Sequence, residues 1–159
     1  MLRRAYDLKY KKMFPTYNEV TVCNEWLLFS NFKSWMEKQD WKDNCLDKDL
    51  LVYGNKVYSP TTCCFIPSRV NAFLTERQNY RGEYPIGVYL DKTKNLYTAV
   101  CGDPFTAKKI RLGRFKSPEE AHQAWLNKKL ELAIQLSKTI QDERASKALV
   151  QRYENYYTN

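Results

Sequence analysis

The chain of 159 residues contains a single histidine, His122, and only five glycines. One histidine cannot build an imidazole metal centre by itself, so His122 is expected to be an ordinary surface residue of a helix. The sequence also lacks a secretory signal pattern and any apolar run near the ~20 residues that cross a bilayer. These absences predict a soluble cytoplasmic protein that does not enter membranes.

Cysteine occurs in no pattern that binds zinc or forms a disulfide framework. The five positions are Cys23, Cys45, Cys63, Cys64 and Cys101. None forms a C-x-x-C pair, and the adjacent Cys63 and Cys64 cannot both enter one tetrahedral zinc site without strain. An odd count also disfavours a disulfide framework, so we expect buried free thiols in a reducing cytoplasm.

What the sequence does contain is positive charge, and most of it lies in one segment. The formal net charge of the chain is +8. Between positions 81 and 116, eight Lys or Arg stand against three acids, which gives this segment a net charge of +5. Localised positive charge indicates a polyanionic partner, and nucleic acid is favoured over a merely solvated surface.

The same segment alternates apolar and polar residues as strands do. The apolar positions are Val88, Leu90, Tyr97, Ala99, Cys101, Ile110 and Leu112. This period of two predicts three strands that bury one face and expose the other. The exposed positions are then Tyr89, Thr98, Val100, Lys109 and Arg111.

A helix is predicted directly after the third strand. Ser117, Pro118 and Glu120 fit a capping box with proline at the first helical position. An apolar stripe along this helix is expected to pack on the sheet. Its members are Ala121, Ala124, Trp125, Leu132 and Leu136, widened by Leu126, Leu130, Ala133 and Ile134.

Three short motifs in this region resemble the Apetala-two/ethylene-response-factor DNA-binding domain. They are Gly87-Val88, Leu112-Gly113-Arg114-Phe115 and Glu119-Glu120-Ala121. Domains of that family lay a three-stranded sheet into the major groove, so the resemblance implies double-stranded DNA as the partner. The groove-facing residues that it implies are Tyr89, Thr98, Val100, Lys109 and Arg111. The DNA-binding residues expected for the segment as a whole are Tyr89, Lys92, Lys94, Thr98, Lys109, Arg111 and Arg114. Because Tyr89, Val100 and Arg111 depart from the family pattern, its preferred DNA site is not transferred.

Residues 46 to 74 predict a strand, a glycine turn, a strand, a loop and a helix. Gly54-Asn55 lies between two apolar runs and predicts a hairpin turn, and Ser68 is expected to cap the helix. This order resembles the HNH, or ββα-metal, nuclease fold. The stretch from Asp47 to Phe65 is similar to HNH-like bacteriophage proteins that carry an Apetala-two domain.

An HNH nuclease activates water with a histidine and stabilises the phosphate with a divalent metal. If the chain is a nuclease, the resemblance implies Asp47, Asp49, Asn55 and Asn71 as catalytic residues, with Asp49 and Asn71 as ligands of Mg²⁺. Asp47 and Asp49 are expected on one face of a strand, with Lys48 opposite. No histidine lies in this segment. A DNA-positioning ββα unit without a cofactor is therefore favoured over a working nuclease.

The first 45 residues resemble the N-terminal part of the same phage proteins. Trp26, Leu27, Leu28, Phe29, Phe32, Trp35 and Met36 have the spacing of an amphipathic helix. We expect this helix to build a core with the ββα unit.

The chain as a whole is predicted to be α+β, with a degenerate ββα-metal unit followed by a three-stranded antiparallel sheet packed on one helix. The predicted domains are residues 1–78, residues 79–140 and a C-terminal helix or tail at residues 141–159. The favoured function is a double-stranded-DNA-binding protein of phage or mobile-element type. The alternatives are a metal-dependent homing or nicking endonuclease and an inhibitor of a host protein. A phage-encoded chain would act in the host cytoplasm.

Overall fold

The computed structural model of the chain describes residues 1–75 and 83–156. The described helices are α1 (Leu2–Tyr6), α2 (Leu8–Met13), α3 (Phe29–Met36), α4 (Ser68–Leu74), α5 (Pro118–Ser137) and α6 (Glu143–Glu154). The described strands are β1 (Thr21–Val22), β2 (Asn44–Asp47), β3 (Val57–Tyr58), β4 (Cys64–Pro67), β5 (Val88–Asp91), β6 (Leu96–Gly102) and β7 (Lys109–Phe115). The mixed α+β class is confirmed. None of the described helices has the length and apolar character needed to span a membrane.

The chain divides into two compact units. The N-terminal unit comprises Met1–Ser68 and Ile140–Ala148, and the sheet unit comprises Arg69–Thr139 and Leu149–Asn159. The predicted domain boundary at residues 78 and 79 lies outside the described residues, as do the last three residues of the predicted tail.

The N-terminal unit is built around a small aromatic core. Its buried members are Ala5, Val20, Val22, Trp26, Tyr58 and Cys63. The expected helix from Trp26 to Met36 is interrupted, because a 3₁₀ helix at Asn24–Leu27 ends at Leu28, whose backbone is extended. Leu27, Leu28 and Phe29 are consequently exposed, although Trp26 is buried and Trp35 stacks on Phe65 with ring centroids 5.7 Å apart.

The predicted hairpin around Gly54-Asn55 is wrong. Strand β2 pairs antiparallel with β4, while the short β3 pairs parallel with β1. The chain leaves β2 early because the Asp47 carboxylate accepts hydrogen bonds from the backbone N–H groups of Asp49 and Leu50, at 2.8 and 2.7 Å. Such a side-chain turn competes with strand pairing.

The cysteines are free thiols, as predicted. Cys63, Cys64 and Cys101 are buried, whereas Cys23 and Cys45 are partly exposed. Burial raises the pKa of the Cys63 thiol to about 11 and that of Cys64 to about 12. Both thiols therefore stay protonated at neutral pH and serve as small apolar core residues.

The sheet unit contains the predicted three-stranded antiparallel sheet in the order β5-β6-β7. Helix α5 packs on one face, where Ala99 and Cys101 of β6 are buried. The capping box of α5 is present. The Ser117 hydroxyl accepts a hydrogen bond from the Glu120 N–H at 3.2 Å. In return, the Glu120 carboxylate accepts one from the Ser117 N–H at 3.4 Å. The helix start predicted from these capping residues is therefore confirmed.

Gly87 allows the backbone just before β5 to approach Trp125 of α5 closely. Its φ is +80°, and a Cβ built on it would overlap the indole ring of Trp125. Its carbonyl oxygen accepts a hydrogen bond from the Val100 N–H at 2.8 Å. Only glycine satisfies both the backbone conformation and the close approach of Trp125.

Two side chains of α5, His122 and Ile134, differ from expectation, and the burial of a third, Lys129, was not predicted. His122 is buried, not exposed, and its Nδ1 donates to the carbonyl oxygen of Ile86 at 3.0 Å. Lys129 is also buried, with its ammonium group donating to the carbonyl oxygen of Phe73 at 2.8 Å. Ile134, assigned to the apolar stripe, is exposed. The hydrogen bonds of His122 and Lys129 replace those that the two side chains would form with water. The pattern of apolar residues along the helix does not reveal these partners.

Candidate nucleic-acid interface

The sheet face opposite α5, called the outer face below, is the most basic part of the sheet. Cross-strand pairing aligns Tyr89 of β5 with Thr98 of β6, and Thr98 with Arg114 of β7. Alternation along the strands then defines the other members of the face. They are Asp91, Leu96, Val100, Lys109 and Arg111.

A β-bulge brings both arginines of β7 to this face. Arg111 and Arg114 are three positions apart, so a regular strand would point them to opposite sides. The register shifts between Ala99 and Val100, where β6 has no residue opposite Leu112, and Arg111 pairs with Val100 while Arg114 pairs with Thr98. Because Val100 and Thr98 share a face, Arg111 and Arg114 share it as well.

In this structure the two arginines contact residues on the far strand. The Arg111 Nη2 donates to the Tyr89 hydroxyl at 3.4 Å. The Arg114 Nε lies 3.5 Å from a carboxylate oxygen of Asp91. Since β6 lies between β5 and β7, both contacts cross the middle strand diagonally, on either side of Thr98.

Thr98 is not an exposed residue, contrary to the sequence-based prediction. Its side chain is on the outer face, but the residue is only 1 % exposed. Tyr89 and Arg114 are its direct cross-strand neighbours, and the two diagonal contacts flank it. Its hydroxyl has no hydrogen-bond partner among the described residues. A hydroxyl in that state costs about 1–3 kcal/mol of stability.

Two further cations lie where β5 turns into β6. Lys92 and Lys94 are exposed on this turn. The turn is held by Asp91, whose carboxylate accepts from the Thr93 hydroxyl at 2.6 Å, and Asn95 follows with a φ of 52°. The Thr93 hydrogen bond lowers the pKa of the Asp91 carboxyl, so this acid stays ionised within the basic face.

The candidate nuclease residues of the N-terminal unit form a turn instead of a strand face. β2 ends at Asp47, and Asp49 lies beyond it in a bend. Burial raises the pKa of the Asp47 carboxyl, while its backbone hydrogen bonds act in the opposite direction. The expected arrangement, with Asp47 and Asp49 on one strand face, is therefore wrong.

Lys48 and Asn55 close this turn. The Lys48 ammonium group, which is buried, donates to the Asp49 carboxylate and to the carbonyl oxygen of Asn55. The Asn55 amide donates in return to the carbonyl oxygens of Lys48 and Val57, at 2.7 Å each. Asn55 thus joins the ends of the loop, and Asp49 neutralises the buried ammonium group of Lys48.

Asn71, the other implied metal ligand, lies on α4 and is partly buried. The backbone carbonyl oxygen of Asn71 accepts a hydrogen bond from the Thr75 hydroxyl at 2.9 Å. Within residues 1–75 and 83–156, no three His, Cys, Asp or Glu side chains are grouped as ligands of one metal ion.

Comparison of the chain with protein-family models, curated proteins and solved structures found no match.

Sequence reasoning overlooked Asp91 as a member of the outer face. Its position two residues after Tyr89 would have placed it on the exposed face, but its negative charge set it apart from the expected DNA-binding residues. The structure brings it to Arg114, while Lys109 is exposed at the far end of β7.

Proposed function

We propose that the chain is a double-stranded-DNA-binding protein whose outer face enters the major groove. The observation that carries this proposal is the placement of Lys109, Arg111 and Arg114 on one exposed sheet face. Arginine can form bidentate hydrogen bonds with the edge of guanine, and lysine can bind guanine or phosphate. Lys92 and Lys94, at the end of the same sheet, are suited to phosphate.

The dimensions of the sheet suit this groove. Adjacent strands lie about 4.8 Å apart, so the axes of three strands span about 10 Å. The major groove of B-DNA is about 12 Å wide and carries the fuller base code. The span of the three strand axes is therefore comparable with the width of the groove that the outer face is proposed to enter.

The proposed role of the ββα segment is to contact phosphate without cutting it. In support of this proposal, β2 pairs antiparallel with β4 and α4 follows β4 along the chain, although the paired strands are not those expected. Supporting a non-catalytic role, the Asp47 and Asp49 carboxylates are engaged in the turn. The phage or mobile-element context remains an implication of the sequence resemblance.

Duplex binding is expected to weaken steeply with salt, because cations that neutralise phosphates release condensed counterions. If the five basic residues of the sheet each meet a phosphate, affinity should fall about 100- to 1,000-fold between roughly 50 and 200 mM salt. The measurement is a fluorescence-anisotropy titration of a labelled duplex at several salt concentrations. Absence of duplex binding at low salt would contradict the proposal and favour the host-protein inhibitor instead.

The purified protein is expected to nick supercoiled plasmid weakly or not at all in Mg²⁺ or Mn²⁺. No histidine is available in the ββα segment to activate water, and the Asp49 carboxylate already neutralises Lys48. Plasmid relaxation is compared with the Asp49→Ala variant. Strong metal-dependent nicking that disappears in this variant, with duplex binding retained, would make the chain an endonuclease. Cleavage that survives the substitution would indicate a contaminating nuclease.

A further inference from the structure

The outer face contains a buried hydroxyl group that two arginine contacts flank. Thr98 occupies the centre of the face on β6 and is 1 % exposed, yet its hydroxyl lacks a partner among the described residues. Buried polar groups in folded proteins nearly always have partners, and exceptions call for an explanation. The hydroxyl is in the middle of the face proposed to enter the groove, where DNA would supply acceptors.

One of the two arginines that flank this position, Arg111, is occupied within the protein. Arg111 reaches across β6 to donate to the Tyr89 hydroxyl, and Tyr89 is itself the direct cross-strand neighbour of Thr98. Tyr89 is 43 % exposed, so the contact lies at the surface, where solvent competes with it and where a stronger acceptor can replace it. A phosphate is such an acceptor, because its hydrogen bond with arginine is charge-assisted. A guanine edge is another, because it forms bidentate hydrogen bonds with arginine.

We propose that the Arg111–Tyr89 contact is a latch that covers Thr98 in the free protein, and that duplex DNA opens it. Arg111 then transfers its hydrogen bond from Tyr89 to the DNA, and the uncovered Thr98 hydroxyl donates to a DNA acceptor. This inference rests on the proposed function and adds a specificity-determining residue to it. A DNA surface that offers an acceptor at both positions forms both hydrogen bonds, whereas a surface without an acceptor at Thr98 leaves its hydroxyl without a partner.

The latch can be tested with a charge-neutral substitution. Tyr89→Phe removes the acceptor that competes for Arg111, so the variant should bind duplex about 2- to 10-fold more tightly, the range expected when one competing hydrogen bond is removed. In an Arg111→Ala background the same substitution should change affinity by less than about 2-fold, because no arginine remains to be released. Tyr97→Phe is the matched control, since it removes a hydroxyl from the opposite face of the sheet.

The Thr98 hydroxyl is tested with Thr98→Val, which replaces it with a methyl group of similar size. The DNA-free variant should melt at a higher temperature than the wild type, since an unsatisfied buried group is removed. Its affinity for duplex should nevertheless fall about 3- to 10-fold, corresponding to one hydrogen bond. A loss that is uniform across duplex sequences assigns the acceptor to phosphate, and a loss confined to some sequences assigns it to a base edge.

The possible results separate this inference from the proposed function. Duplex binding by the wild type without a gain in Tyr89→Phe would overturn the latch while leaving the DNA-binding function intact. Unchanged duplex affinity in Thr98→Val would overturn the role of the hydroxyl. Failure of the wild type to bind any duplex at low salt would overturn both the function and the inference.

Discussion

Gly87→Ala is expected to destabilise the sheet unit by about 2–5 kcal/mol, through strain of about 1–2 kcal/mol at positive φ and overpacking of about 1–3 kcal/mol against Trp125. The new methyl group would overlap the indole ring, so either β5 or the tryptophan has to move. Urea denaturation followed by circular dichroism measures the loss of stability.

Two other glycines separate the components of this effect. Gly54 has a φ of +71°, but a Cβ at this position would have no atom within 4 Å, so Gly54→Ala isolates backbone strain. Gly102 has neither a positive φ nor a close neighbour, and Gly102→Ala should lie within about 0.5 kcal/mol of the wild type. A Gly87→Ala variant as stable as Gly102→Ala would mean that Trp125 does not pack against this backbone.

Local chemical signals allowed the sheet unit to be predicted from sequence. Alternation identified β5, β6 and β7, and the capping box placed the first residue of α5 correctly at Pro118. These features are encoded by neighbouring residues. The helix start, for example, needs only the side chains of Ser117 and Glu120 and the backbone between them.

Features that depend on distant residues were not predictable in the same way. Gly54-Asn55 has the composition of a hairpin turn, but β2 pairs with β4. The side chain of Asp47 ends β2 by accepting backbone hydrogen bonds. The chain then forms a loop that hydrogen bonds between Lys48 and Asn55 close. Local composition identified a turn and could not identify which strand would pair with β2.

The outer face illustrates a second limit of pattern reasoning. Alternation correctly assigned Thr98 to the face opposite α5, but it could not predict that neighbouring side chains would cover it. Nor does alternation explain why Arg111 and Arg114 lie together, since that depends on the bulge opposite Ala99 and Val100. Gly113, within the Leu112-Gly113-Arg114-Phe115 motif, was the available hint of an irregularity in the strand.

Replacement of Lys109 and Arg111 together by Ala is expected to weaken duplex binding by about 1–3 kcal/mol for each side chain that binds a base edge. If both do, the loss of affinity is roughly 30- to 25,000-fold. Both side chains are exposed on β7, outside the apolar face. The melting temperature should therefore change little, since only the surface hydrogen bond between Arg111 and Tyr89 is removed. Anisotropy titrations and thermal melts of the same preparations measure the two quantities.

The matched control for the removed charge is Lys138→Ala combined with Lys147→Ala. Lys138 follows α5 and Lys147 lies on α6, and both are exposed and outside the outer face. This control loses the same net charge, so any general electrostatic effect on DNA binding appears in both double variants. A loss of affinity specific to the Lys109 and Arg111 variant assigns recognition to the outer face. Equal losses would instead mean that the duplex senses only the net charge of the chain, and a Lys109 and Arg111 variant that binds normally would move the DNA-binding surface elsewhere.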